Sequence, residues 1–224
     1  MEAYGDDIFT EPDLDPDGLA NLGPLRPMAG IWESVQGSDD HPVGPGSDAD
    51  EAEVSAGTKN DVFVEHYELQ PIDPQTNGPQ VLYGLRYHVH IVKPGEVETF
   101  HDQVGYWLWE AATQTVTHSL AIPRAQVALA SGTAAPDAIE FELIANAGGA
   151  NYGILSSPFI DAAFRTLSFR IRVTINADGT WSYEEDTVLK IPNRSEPFHH
   201  IDRNTLRRVA DPTPNPVALE AAGS

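Results

Sequence analysis

Two neighbouring histidines, His199 and His200, open the segment Phe198-His199-His200-Ile201-Asp202-Arg203-Asn204-Thr205-Leu206-Arg207-Arg208-Val209. The segment reads as a β-strand, and adjacent strand residues point to opposite faces. One imidazole of the pair therefore enters whatever interior the strand encloses, and the spacing does not say which. A neutral imidazole in an apolar cavity can serve as an axial ligand to haem iron, and Asp202 could hold the ring's other N–H. The same pair could equally sit at a rim in water. A second imidazole, His101, lies in Phe100-His101-Asp102-Gln103-Val104-Gly105-Tyr106-Trp107-Leu108-Trp109, an aromatic strand whose glycine marks a bulge or a close backbone approach. His88 and His90 share one face at i, i+2 and, with His101 and His118, could hold a metal. The opposite face of that strand, Tyr87, Val89 and Ile91, is the more apolar one. If it points inward, His88 and His90 face solvent.

Other chemistries are poorly represented. The chain has no cysteine, which removes disulfides, thiolate catalysis and Cys-ligated metal. Ser34, Ser119, Ser131 and Ser156 lack a nucleophile elbow. Gly148-Gly149 lacks the lysine and helix of a phosphate loop. Glu184-Glu185-Asp186 reads as a strand end facing water. The formal net charge is −21. Residues 1–53 hold fourteen Asp and Glu against Arg26 alone, a net of −13. Such acidity disfavours nucleic acid and anionic membranes. Met1-Glu2-Ala3-Tyr4-Gly5-Asp6-Asp7 is not a signal peptide, and no apolar run approaches the ~20 residues of a membrane helix. The expectation is a soluble, cytoplasmic protein.

The elements that must position these histidines are strands. Ten are expected, beginning with Met28 to Val35, Asp61 to Leu69, Val81 to Val92, Glu98 to Trp109 and Gln114 to Ile122. The others are Gln126 to Ser131, Ala138 to Ala145, Thr166 to Ile175, Thr180 to Ile191 and Phe198 to Val209. Ser157 to Phe164 invites a short helix. Short turns between strands favour an antiparallel up-and-down meander, and closure removes its edges. The expected fold is an all-β, ten-stranded barrel over residues 27–210 with an internal ligand cavity. An acidic disordered leader (1–26) precedes it, a loop covers Asp39 to Gly57, and a flexible tail (211–224) follows. Trp32 in Gly30-Ile31-Trp32 reads as a stopper at one barrel end, with Arg207 or Arg208 stacked on it.

Three stretches together resemble the nitrobindin family of haem-binding, fatty-acid-binding-protein-like calycin barrels. Gly30-Ile31-Trp32-Glu33-Ser34-Val35-Gln36-Gly37 is similar to its Gly-x-Trp-x-Gly-x-Gly opening, with Ser34 at the second glycine and Gly37 one residue late. Phe100-His101-Asp102-Gln103-Val104-Gly105-Tyr106-Trp107 is similar to its His-x-Glu-x-Gly-Tyr strand, and His200 to Arg207 to its closing His…Leu-x-Arg strand. The resemblance implies one haem b with His200 as the iron ligand. It implies Phe100 and His101 over the distal side, His101 as the catalytic group, and Trp32 and Ile122 as further cofactor contacts. It also implies nitric oxide binding and isomerisation of peroxynitrite to nitrate, and it admits a homodimer. Arg86, Arg124 and Arg203 are the candidate cations for haem propionates. The alternative is a non-enzymatic carrier of a fatty acid or another small hydrophobic ligand, for which Arg170 and Arg172 could meet a carboxylate. A metal barrel built on His88, His90 and His101 is the third reading.

Overall fold

The computed structural model describes residues 4–5, 7–43, 57–214, 216 and 220. A 3-10 turn, Gly23–Met28, leads into twelve strands. The first six are β1 (Gly30–Pro42), β2 (Thr58–Pro71), β3 (Gln75–Asn77), β4 (Gln80–Val92), β5 (Thr99–Glu110) and β6 (Thr115–Ile122). The next three are β7 (Gln126–Thr133), β8 (Glu140–Ala147) and β9 (Gly153–Ser156), followed by a short helix α1 (Pro158–Ala163). β10 (Arg165–Ile175), β11 (Trp181–Lys190) and β12 (Phe198–Ala210) complete the set. The sheet runs β2-β1-β12-β11-β10-β8-β9-β7-β6-β5-β4-β3, and pairing of β2 with β4 closes it.

All ten expected strands form, but the barrel is not purely ten-stranded and antiparallel. β9, from the Gly-rich segment, inserts between β7 and β8 and runs parallel to β8. That makes eleven strands around the wall, and β3 is a further short strand hydrogen-bonded to β4. Neither short strand has an alternating pattern long enough to be read from sequence.

Strand parity decides what faces in. Leu85, Tyr87, Val89 and Ile91 are buried while Arg86 and His88 are exposed, so β4 turns its apolar face to the core as alternation demands. β1 is different. A register shift against β12 between Ser34 and Gln36 inserts one residue, and such a bulge reverses parity. Trp32 and Ser34 face inward before the bulge, and Gly37 and Asp39 face inward after it. Gly105 is not at a bulge. Its neighbours pair regularly, and a Cβ there would collide with the Ser119 carbonyl oxygen, so glycine is needed for close strand approach.

One end of the barrel is sealed. Leu22, Leu25, Met28, Trp32, Trp109, Trp181 and Leu206 are almost inaccessible. Trp32 Nε1 donates to the Met28 carbonyl at 2.7 Å, its ring meets Trp181 edge-on at 6.2 Å, and the Arg208 guanidinium covers it at 4.7 Å. The segment expected to be a disordered leader therefore contributes to the core from Leu22 onward, because its leucines have a hydrophobic plug to complete. Asp39 to Pro42, expected in a loop, continue β1. The rest of that loop, 44–56, and most of the tail lie outside the described residues. Replacing Trp32 by Ala is expected to cost about 3–5 kcal/mol, read by urea denaturation.

Candidate functional site

The opposite end carries the histidines. β12 begins there, and its inward residues are Phe198, His200, Asp202, Asn204 and Leu206. His199 points outward to Asp186, with Nδ1 2.9 Å from a carboxylate oxygen. The ambiguity of the His199-His200 pair is thus resolved by parity in favour of His200.

His200 is not free. Its Nε2 donates to Asp39 Oδ1 at 2.7 Å and lies 3.4 Å from Asp202 Oδ2. Asp202 thus approaches Nε2, the nitrogen that already bonds Asp39. Burial alone would lower the His200 pKa, but the Asp39 hydrogen bond and the Asp202 charge outweigh it and raise it. Burial raises Asp202, opposed by His200 and reinforced by Asp39.

The β-ladder explains this crowding of acids. Asp61 on β2 pairs with Asp39 on β1, Asp39 with Asp202 on β12, and Asp202 with Glu185 on β11. Four neighbouring strands place a carboxylate on one rung. Asp61 is paired with Lys93 at 2.7 Å and Lys59 at 3.2 Å, and His41 Nε2 lies 3.1 Å from it. Glu185 is half-buried on the inward face of β11, and burial, reinforced by Asp202 and Glu65, pushes its pKa well up. Below the rung, Glu65 accepts from Asn204 Nδ2 and from the Tyr183 hydroxyl at 2.9 Å. Burial raises Glu65 to about 7 despite those bonds.

Across the mouth, β5 presents His101. A register shift between β4 and β5 at Ile91/Val92 distorts the start of β5, and Phe100 packs against the core although its neighbour His101 is also largely enclosed. His101 Nε2 lies 3.4 Å from Gln103 Oε1. Burial lowers its pKa, and the charges of Arg124 and His200 push the same way against Gln103. Its surroundings therefore favour the neutral ring. The His41 ring stands 6.1 Å from Phe100 and 6.4 Å from His200, which links the two walls. Ile122 ends β6 on the same rim, and Arg124 just beyond it reaches the Phe100 carbonyl at 3.5 Å.

Several expected site residues lie elsewhere. Trp32 is at the sealed end: it pairs with Arg208, eight residues along β12 from His200, about 26 Å at the rise of a strand. It is a plug and does not line this site. His88 and His90 are on the outer wall, bonded to Asp102 at 2.9 Å and Thr99 at 3.1 Å, so they cannot join His101 around a metal. His118 is wholly buried, stacked on Trp107 at 3.9 Å and bonded to the Tyr87 hydroxyl at 2.9 Å. Burial lowers its pKa to about 3. Arg170 and Arg172 face outward to Glu142, each at 3.2 Å, and neither can meet an enclosed fatty acid. Arg203 pairs outside with Glu184 at 2.8 Å. Arg86 borders an outer-wall groove of about 1000 Å³ with His88, Val104, Tyr106, Val127 and Leu155. Of the three candidate cations only Arg124 is at the mouth.

Asp39, Glu65, Glu185 and His41 escaped sequence reading. Glu65 shares the parity of Phe63, Tyr67 and Leu69, and Glu185 that of Trp181, Tyr183 and Leu189. That alternation was the available signal, and it corrects the reading of Glu185 as a water-facing strand end. Asp39 gave no such signal because the β1 bulge reverses its parity.

Among the described residues, no helix is long and apolar enough to cross a membrane. Comparison with curated proteins finds no match. Among solved structures, Rv2717c from M. tuberculosis superimposes with a TM-score of 0.57 at 18% identity, over 88% of this chain and 99% of that one; the likeness is one of fold. The family described as "THAP4-like, heme-binding beta-barrel domain" matches residues 21–208. Carried over nearly the whole barrel, that match means the chain belongs to the THAP4-like heme-binding β-barrel domain family.

Proposed function

We propose that this barrel binds one haem b at its open end through His200 and uses it on reactive nitrogen species, binding nitric oxide and isomerising peroxynitrite. The observation that carries the reading is the inward imidazole of His200 on the closing strand, with the largely enclosed imidazole of His101 across the mouth. The donor set fits the group: an inward imidazole nitrogen, a second imidazole opposite, the apolar Phe100 and Ile122 at the rim, and Arg124 to meet a propionate. Bound there, the group supplies a Lewis-acidic iron. Phe100 and Ile122 exclude water, and His101 Nε2 donates to or accepts from a small distal ligand without carrying charge.

The fit has one condition. Nε2 must exchange Asp39 for iron, and it must be unprotonated to do so. A proton held on His200 above the ordinary histidine value competes with the metal, so haem affinity should rise with pH. Removing the Asp39 carboxylate frees the nitrogen from a charge-assisted bond of about 1.5–3 kcal/mol.

The test is a ferric haem titration of the haem-free chain at pH 6 and pH 8, with Asp39→Ala alongside. One haem per barrel is expected, tighter at pH 8 than at pH 6. Asp39→Ala should bind at least about tenfold more tightly at pH 6. A wild-type absorption spectrum that never saturates removes the haem reading. Identical titrations of the two proteins remove the role given to Asp39. Nitric oxide and peroxynitrite assays of the loaded protein then test the reaction.

A further inference from the structure

We propose that Tyr87 and His118 form a buried redox pair, in which the tyrosine gives one electron to nitrogen dioxide while His118 takes its proton. The pair needs no cofactor, and the inference does not rest on haem binding.

The pair hangs below the barrel mouth on a line of inward side chains. His101 and Gln103 share the inward face of β5, and Gln103 Oε1 lies 3.4 Å from His101 Nε2. Gln103 Nε2 donates to the Tyr87 hydroxyl oxygen at 2.7 Å. The same oxygen lies 2.9 Å from His118 Nε2. Gln103 and Tyr87 are buried, and His118 is wholly inaccessible.

This geometry decides where the protons sit. With a proton on His118 Nε2, the Tyr87 oxygen would face two donors, and its own O–H would have no acceptor among the described residues. His118 Nδ1, which has no partner, would be a second unpaired group. With the proton on Nδ1 instead, Nε2 accepts from Tyr87 and Nδ1 alone is left unpaired, the less costly arrangement. The Tyr87 O–H therefore points at an imidazole base. Burial holds the Tyr87 pKa well above its ordinary value and lowers that of His118 to about 3. Neither group carries charge until an electron leaves.

Loss of that electron makes the phenol a strong acid, and its proton crosses one hydrogen bond to Nε2. The step balances: Tyr87 O–H and nitrogen dioxide give a tyrosyl radical, nitrite and a proton on His118. Nitrogen dioxide suits the site because it is uncharged, whereas the net charge of −21 repels anionic oxidants. No other buried tyrosine meets an imidazole. Tyr67 accepts from Trp107 Nε1 at 2.9 Å, and Tyr183 donates to Glu65 at 2.9 Å. At 2% exposure a radical on Tyr87 is shielded from a second radical, so it should persist.

The test generates nitrogen dioxide by pulse radiolysis of nitrite in a solution of the full, haem-free chain. Transient absorption and freeze-quench electron paramagnetic resonance follow the radical. Wild type should show a tyrosyl phase living at least about tenfold longer than any in Tyr87→Phe, where only exposed tyrosines such as Tyr106 remain to react. His118→Phe keeps a ring against Trp107 but removes the base, and should form the slow phase at least about tenfold more slowly. Tyr67→Phe should match wild type. Pulsed resonance of wild type with isotopically labelled histidine should show a histidine nitrogen coupled to the radical, and His118→Phe should lose that coupling, which a merely structural histidine would not supply. Circular dichroism checks that each variant keeps the fold. Absence of a slow phase in wild type overturns the proposal. So does a slow phase that survives Tyr87→Phe in folded protein, since the radical would then sit on another ring. Unchanged formation in folded His118→Phe overturns the role of His118 as proton acceptor.

Discussion

Replacing His200 by Ala is expected to abolish stoichiometric haem binding, with the Soret shift of the titration reduced to that of free haem in buffer. The expectation follows from parity. His199 cannot substitute, because it points outward and is held by Asp186 at 2.9 Å. His101 lies on β5, and moving it to the β12 side would need that strand to be rebuilt. Removing a residue that merely orients a metal ligand costs about 10–100-fold in affinity, so loss of the ligand itself should exceed about a hundredfold. His199→Ala is the matched control and should leave the titration unchanged. Trp32→Ala should weaken the fold yet keep one haem per barrel, since Trp32 plugs the far end. His200→Ala also leaves Asp39 and Asp202 side by side with no cation between them, so circular dichroism must accompany the titration. A folded His200→Ala protein that keeps the wild-type haem spectrum would exclude His200 as the ligand.

Fold and site were unequally legible in the sequence, and the reason lies in strand parity. Where both strand faces differ in polarity, as in Tyr87, Val89 and Ile91 against His88 and His90, alternation predicts orientation and the structure agrees. The hairpin of β10 and β11 was equally plain, its turn closing with Asn176 N donating to Thr180 O at 2.9 Å. The interior acids were hidden for two physical reasons. The bulge between Ser34 and Gln36 flips everything after it on β1, which brings Asp39 inward. Glu65 and Glu185 break an otherwise apolar inward face, so a rule that sends charge outward misplaces them. The carboxylate rung across β2, β1, β12 and β11 joins residues far apart in sequence, and only register brings them together. The Gly30-Ile31-Trp32 opening identifies Trp32 as a stopper, but whether it can touch a cofactor depends on which end the stopper closes, and that end is the one away from His200.

Those interior acids make stability depend on pH in an unusual sense, and Glu65→Gln isolates the effect. Burial raises the Glu65 pKa to about 7 from 4.5. Below pH 4.5 both folded and unfolded chains hold the proton, and the group's contribution is fully present. Between about 4.5 and 7 the unfolded chain has released it while the folded chain retains it, so stability falls as pH rises. Above about 7 both are ionised and the loss is constant, at about 3 kcal/mol. Glu185 and Asp202, whose pKa values are also raised by burial, act in the same direction. His118 acts in the opposite one: burial lowers its pKa to about 3 from 6.5, so its contribution is present above pH 6.5 and is lost as pH falls. The wild-type curve mixes these terms, but the difference between wild type and Glu65→Gln does not. A glutamine can still accept from Asn204 Nδ2 and the Tyr183 hydroxyl, and Asn204 Oδ1, a buried acceptor with no partner, is at hand for its amide. Urea denaturation of both proteins from pH 4.5 to pH 8 should therefore show Glu65→Gln gaining about 3 kcal/mol on wild type, nearly all of it by pH 7. Parallel stability curves across that range would mean that Glu65 is ionised in the folded protein throughout, its charge balanced from within the barrel.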